Sequence, residues 1–138
     1  MPFANPSPDE IRQLLKQSKT IAVVGLSPNP ARPSHGVSAA MQGFGYRIIP
    51  VRPAVAEVLG EQAYADLHDL PGRPDLVNVF RAPEHVEPIV DACIELGIAA
   101  LWLQDGVINE AAAEKAQAAG ITVIMDRCIY RDYMQLLA

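Results

Sequence analysis

Thr20-Ile21-Ala22-Val23-Val24-Gly25-Leu26-Ser27-Pro28 is the stretch from which the fold can be read. Its first five residues are largely β-branched and apolar, with no polar alternation. A strand of that character is buried on both faces, as in a parallel sheet covered by helices. Four further runs repeat the pattern: Tyr46 to Val51, Asp75 to Phe80, Ile98 to Leu103 and Ile121 to Met125. Helical patterns fill the intervals Ser34 to Phe44, Glu84 to Leu96 and Asn109 to Ala119.

The junctions share one grammar. Phe44-Gly45-Tyr46, Leu96-Gly97-Ile98 and Ala119-Gly120-Ile121 each set a glycine between a helix and a strand. Glycine enters the left-handed conformation that ends a helix at the least steric cost. Alternating strands and helices with short connections imply a parallel sheet. The expected fold is therefore a three-layer α/β, Rossmann-like doubly wound sheet forming one domain over residues 1–138.

Upstream, Ser7-Pro8-Asp9-Glu10 combines an N-cap serine, a first-turn proline and a capping-box glutamate, with Ile11, Leu14 and Leu15 on one face. Residues 1–19 are read as an N-terminal helical arm packed on the domain. The segment Ala54 to Pro74 is irregular. Glu61 to Tyr64 is expected as a short edge strand and Asp66 to Leu70 as one helical turn, giving strand order 3-2-1-4-5-6. The tail from Tyr130 to Leu137 should return Tyr133, Leu136 and Leu137 to the sheet as a helix.

Composition narrows the function classes. Of 138 residues, 50% are hydrophobic and 20% charged, a globular balance. A net charge of -5 argues against non-specific nucleic-acid binding, which draws on a broad basic face. No apolar run approaches the ~20 residues that cross a bilayer. Met1-Pro2-Phe3-Ala4-Asn5-Pro6 lacks the basic and apolar regions of a secretory signal. Cys93 and Cys128 make neither a disulfide framework nor a zinc pair, so a reducing, cytoplasmic setting is expected with both thiols inert.

In open α/β sheets, ligands bind beyond the carboxyl ends of the strands, near the reversal of strand order. Arg32, Arg52, Arg81 and Arg127 each follow a different strand, so all four fall on that side. A guanidinium pairs bidentately with phosphate, and the cluster reads as an anion site. Each arginine alone reads equally well as a solvated charge or a local ion pair, such as Arg127 with Asp126. The loop from Gly25 to Ser34 is rich in proline and feeds a helix, whose start suits a pyrophosphate. Ser34 could also simply cap that helix. Positions 27 and 30 are Ser27 and Pro30, so the loop is not G-x-G-x-x-G, and no Gly-Lys-Ser/Thr makes it a P-loop. The second strand ends Val51-Arg52-Pro53, and arginine there favours a ribose carrying an extra phosphate, as in NADP or coenzyme A.

Taken together, Ile21 to Pro28, Arg32-Pro33-Ser34, Gly45 to Val51, Asp75 to Arg81, Leu101 to Val107 and Met125 to Cys128 resemble the small stand-alone CoA-binding protein family. That family is in turn similar to the CoA-binding domain of the succinyl-CoA synthetase α subunit. The resemblance implies coenzyme A or acyl-CoA as ligand. It places Gly25, Leu26 and Ser27 at the phosphate loop and Arg32, Ser34 and His35 near the pyrophosphate. It assigns Val51 and Arg52 to the adenosine end, Phe80 and Arg81 to the middle, and Gln104 and Gly106 to the pantetheine arm. The chain departs from the family at Arg52, where Val-Asn-Pro is usual.

A catalytic set is not legible. His35, His68 and His85 show no metal-ligand spacing, Trp102 reads as core, and nothing pairs Asp105 or Glu110 with a partner. Three functions stay open: a non-catalytic CoA or acyl-CoA module, an NADP-dependent oxidoreductase, or the nucleotide-binding subunit of an acyl-CoA synthetase-type complex. A homodimer or an unidentified catalytic partner would be the associated assembly.

Overall fold

A computed structural model describes residues 3–138. The arm is helix α1, Pro8–Gln17, and its capping box is complete: Ser7 Oγ accepts from Glu10 N–H while Glu10 accepts from Ser7 N–H. The chain continues through strand β1 (Thr20–Val24), helix α2 (Pro33–Gly43) and strand β2 (Arg47–Val51). Two short strands follow, β3 (Glu57–Val58) and β4 (Glu61–Gln62), then a 3-10 turn at Leu67–Asp69. Strand β5 (Leu76–Val79), a second 3-10 turn at Pro83–His85 and helix α3 (Val86–Leu96) come next. The order closes with β6 (Ala100–Leu103), α4 (Glu110–Ala118), β7 (Thr122–Met125) and α5 (Ile129–Leu136).

Five strands form one parallel sheet in the order β2-β1-β5-β6-β7. The pleat divides its side chains between two cores. Ala22, Val24, Val77, Val79, Leu101, Leu103 and Val123 meet α3 and α4 on one face. Ile21, Val23, Ile48, Leu76, Trp102 and Ile124 meet α1, α2 and α5 on the other. Both faces are covered, which is why the strands read as unbroken apolar runs. Gly45, Gly97 and Gly120 all have positive φ, as the helix–Gly–strand grammar requires.

Trp102 is fully buried and its indole N–H donates to Arg127 O at 2.8 Å, which satisfies its one polar atom. Burial pushes the Cys93 thiol up to about 12, consistent with an inert apolar role, and Cys128 is buried as well. Tyr133, Leu136 and Leu137 of the tail pack on the core as expected, with the Tyr133 ring stacked on Phe44. Among the described residues no helix is long and apolar enough to cross a membrane.

One topological expectation is corrected. Glu61 and Gln62 do not extend the main sheet; they pair antiparallel with Glu57 and Val58 in a separate hairpin. Only Tyr64 reaches β2, through a single parallel bridge to Val51. Pro50 sits in the edge strand, and an edge is where a proline is tolerated.

Candidate functional site

The order β2-β1-β5 reverses chain direction of growth at β1, and the crevice there opens at the carboxyl ends of the strands. Gly25 sits at its base. Its N–H donates to Val51 O, while Phe80 N–H donates to Val24 O, both at 2.9 Å. Its φ is +87°, and a Cβ built there would lie 2.5 Å from Phe80 O. Only glycine satisfies both the left-handed backbone and that approach.

Two adjoining cavities form the crevice and share Gly25, Arg52 and Phe80. The larger, about 750 Å³, lies between β2, the turn at Leu67 and α3; Val51, Leu67, Arg81, His85 and Ile89 help line it. The smaller, about 550 Å³, lies under the β1–α2 loop and takes in Ser27, Arg32 and Ser34. Both volumes fall in the range of small-molecule sites, roughly 300–1,000 Å³.

The loop is held by its own polar groups. Ser27 N–H donates to Ser34 Oγ at 3.0 Å, and Asn29 N–H donates to Ser27 Oγ at 3.1 Å. Ala31 N–H donates to Asn29 Oδ1, and Arg32 N–H to Asn29 O. Ser34 is therefore not the helix cap expected as one option: Arg32 occupies that position without a side-chain bond, and Ser34 lies inside the first turn. His35 and Gly36 N–H groups both turn back to Arg32 O. Most amide donors expected for a pyrophosphate are thus engaged internally. The serines replace them: each Oγ accepts an N–H, so each O–H remains free to donate. At 9% and 6% exposure, Ser27 and Ser34 present those hydroxyls from a nearly closed wall.

Of the four arginines, three gather here. Arg52 lines both cavities, Arg81 the larger and Arg32 the smaller. Among the described residues none of these three forms an ion pair with a carboxylate. Arg127 is different, and the four-arginine expectation is corrected accordingly. Its Nε and Nη2 grip both oxygens of the buried Asp132, at 2.7 and 2.8 Å, rather than Asp126. That bidentate pair lifts the Arg127 pKa further above its ordinary value.

The remaining sequence-derived residues lie outside the cavity walls among the described residues. Leu26 is fully buried in the core beneath the loop, and His35 is half-buried on α2. Gln104 is 4% exposed, and its Oε1 accepts from Ile129 N–H at the start of α5. Gly106 N–H donates to Asp126 Oδ1 at 2.8 Å. Asp105 pairs with Arg131 at 2.7 Å.

Sequence reading passed over the far wall of the larger cavity, made by Asp66, Leu67, His85, Pro88, Ile89 and Ala92. The helical turn expected at Asp66 to Leu70 was its one local signal. That wall carries a clasp. His68 Nδ1 lies 2.8 Å from Asp66 Oδ1, and Nε2 lies 2.9 Å from Glu95 Oε2 on α3. A neutral imidazole has one N–H and cannot donate to both, so the geometry suits imidazolium. Bonds from Asp66, then Glu95, raise the His68 pKa above 6.5; the His68 backbone N–H, then its ring, lowers that of Asp66.

A raised folded pKa means stabilisation fully present below the unfolded value near 6.5 and lost as pH climbs through the higher folded value. An NMR titration should show His68 titrating above an unstructured histidine, and Glu95→Gln should bring it back toward 6.5. Both carboxylates are exposed, so the effect on global stability is expected to be slight.

Comparison with known proteins agrees with this architecture. The Bacillus subtilis (strain 168) protein YneT is 47% identical over 125 residues, covering 91% of this chain and 93% of that protein. A hypothetical protein from Pyrococcus horikoshii OT3 superposes with a TM-score of 0.94 at 33% identity, over 100% of this chain and 97% of that one. A Ca. Korarchaeum cryptofilum acetyl-coenzyme A synthetase 1 shares the fold, with a TM-score of 0.72 at 20% identity over 84% of this chain and 28% of that one. A family model described as a CoA binding domain matches residues 19–134, from the start of β1 into α5. By that match, which takes in every strand of the sheet and the whole crevice, the chain belongs to the CoA binding domain family.

Proposed function

We propose that the crevice binds coenzyme A or an acyl-CoA, as a binding module rather than a catalyst. The observation that carries this reading is the convergence of Arg32, Arg52 and Arg81, all without carboxylate partners among the described residues, on cavities that meet at Gly25. Three guanidinium groups in a chain of net charge -5 make a local anion site on an otherwise acidic protein. The serine hydroxyls of the smaller cavity suit phosphoryl oxygens. The apolar walls of the larger one, from Val51, Leu67 and Ile89, suit a flat base. Gln104 and Gly106 would lie beyond the crevice, toward the pantetheine arm.

Isothermal titration of the purified protein tests this. Saturable binding of coenzyme A or acetyl-CoA is the expected result, with NADPH as the control ligand. No saturable heat with coenzyme A or acetyl-CoA up to millimolar concentration would overturn the reading. A second reading, a nucleotide-binding subunit of an acyl-CoA synthetase-type complex, draws on the likeness to part of a synthetase chain. It predicts a stoichiometric partner on purification from cell extract; a lone chain or homodimer would count against it.

A further inference from the structure

We infer that Arg52 is the specificity-determining residue of the crevice and that it reads a phosphate monoester on the ligand's ribose. This rests on the coenzyme A reading above and names the part of the ligand that the site selects.

Arg52 directly follows β2, the position from which sheets of this kind address the ribose: an acidic residue there takes a free diol, an arginine a phosphorylated one. The structure adds three observations. Arg52 is the only charged side chain that lines both cavities among the described residues. Its Nη1 donates to Gly25 O at 3.5 Å, which draws the guanidinium inward over the β1 turn. It is half-buried and has no carboxylate within ion-pairing distance among the described residues, although most of its five N–H donors are unspent.

A guanidinium partly withdrawn from water without a counter-ion is a site in want of one. Arg81 in the larger cavity and Arg32 in the smaller place positive charge on either side of Arg52, against one lining carboxylate, Asp66, among the described residues. Each phosphorus of a pyrophosphate bridge brings about one negative charge, whereas a monoester brings between about 1.5 and 2 and three oxygens for a planar fork. The monoester is the better match for Arg52, and the serine hydroxyls remain for the bridge.

The test compares coenzyme A with dephospho-coenzyme A, which differ only in the ribose 3′-phosphate, by titration against the full chain. The unmodified protein is expected to bind coenzyme A about ten- to a hundredfold more tightly. Arg52→Gln should weaken coenzyme A more than dephospho-coenzyme A and bring the two affinities within about threefold of each other, and Arg52→Lys should restore only part of the gap. The preference should also shrink below about pH 6, as the monoester takes up its second proton. Equal affinities in the unmodified protein would overturn this inference and leave the coenzyme A reading standing. Failure of both ligands to bind would overturn that reading, and this inference with it.

Discussion

Alanine at position 25 should cost about 2–5 kcal/mol of stability, the sum of a left-handed non-glycine residue and an overpacked contact. The cause is local and has no easy relief. The new Cβ would sit 2.5 Å from Phe80 O and 3.0 Å from Arg81 Cδ. Arg81 can swing away; the carbonyl belongs to Phe80, which directly follows β5 and is tied to β1 through its N–H bond to Val24 O, so it cannot move without loosening the sheet. Gly25 is also where the two cavities meet, so ligand affinity should fall more than tenfold in whatever fraction still folds.

Urea denaturation followed by ligand titration measures both effects. Gly36→Ala is the control. Gly36 lies within α2, its added Cβ meets nothing within 4 Å, and alanine there should be neutral or stabilising by about 0.4–1 kcal/mol. If Gly25→Ala and Gly36→Ala unfold at the same urea concentration, the close approach at β5 does not constrain the chain.

The second large effect separates one arginine from its three counterparts. Arg127→Met should destabilise by about 3 kcal/mol, because it leaves the Asp132 carboxylate, 1% exposed, without its counter-charge. The lower end of the range applies, since Arg127 itself is 41% exposed and already shares its charge with water. Ligand affinity should be unchanged in this variant. Pairing it with Asp132→Leu should recover much of the loss, as an apolar pair replaces a buried charge.

Arg81→Met should behave in the opposite way. It has no carboxylate to strand among the described residues, so stability should hold while affinity falls. Chemical denaturation and titration on both variants make a two-by-two comparison. Loss of ligand affinity in Arg127→Met with intact stability would contradict the division drawn between the arginines.

How far the site was legible depends on the range of the interaction that makes each part. Glycine and the loop sequence marked the crevice because a strand end, a turn and a helix start are neighbours in the chain. Ser34 reads from sequence either as a group near the pyrophosphate or as a helix cap; the cap is ruled out because Arg32 holds that position and Ser34 Oγ accepts Ser27 N–H, seven residues back. The two options use the same serine and differ only in how the loop folds over it. Asp66, Leu67 and the α3 residues were passed over because the cavity they close exists only once the turn at Leu67 packs on α3. The His68 clasp joins residues 27 positions apart and has no pattern in sequence.

The edge strand failed for a related reason. Glu61 to Tyr64 is near enough to β2 to pair with it, but β4 finds a closer partner in β3 across Leu59 and Gly60, both at positive φ. A two-residue reversal closes at less entropic cost than a longer one.

By itself the sequence determined the five parallel strands, their order around β1, the capped first helix and the residue types at the ligand edge. Those follow from period, propensity and caps, which act within a few residues. Only the tertiary structure decided which charges are spent and which are available: Arg127 is neutralised by Asp132, while Arg32, Arg52 and Arg81 face the crevice. Charge pairing is settled by distance in space, and side chains that follow different strands learn their neighbours only when the sheet assembles.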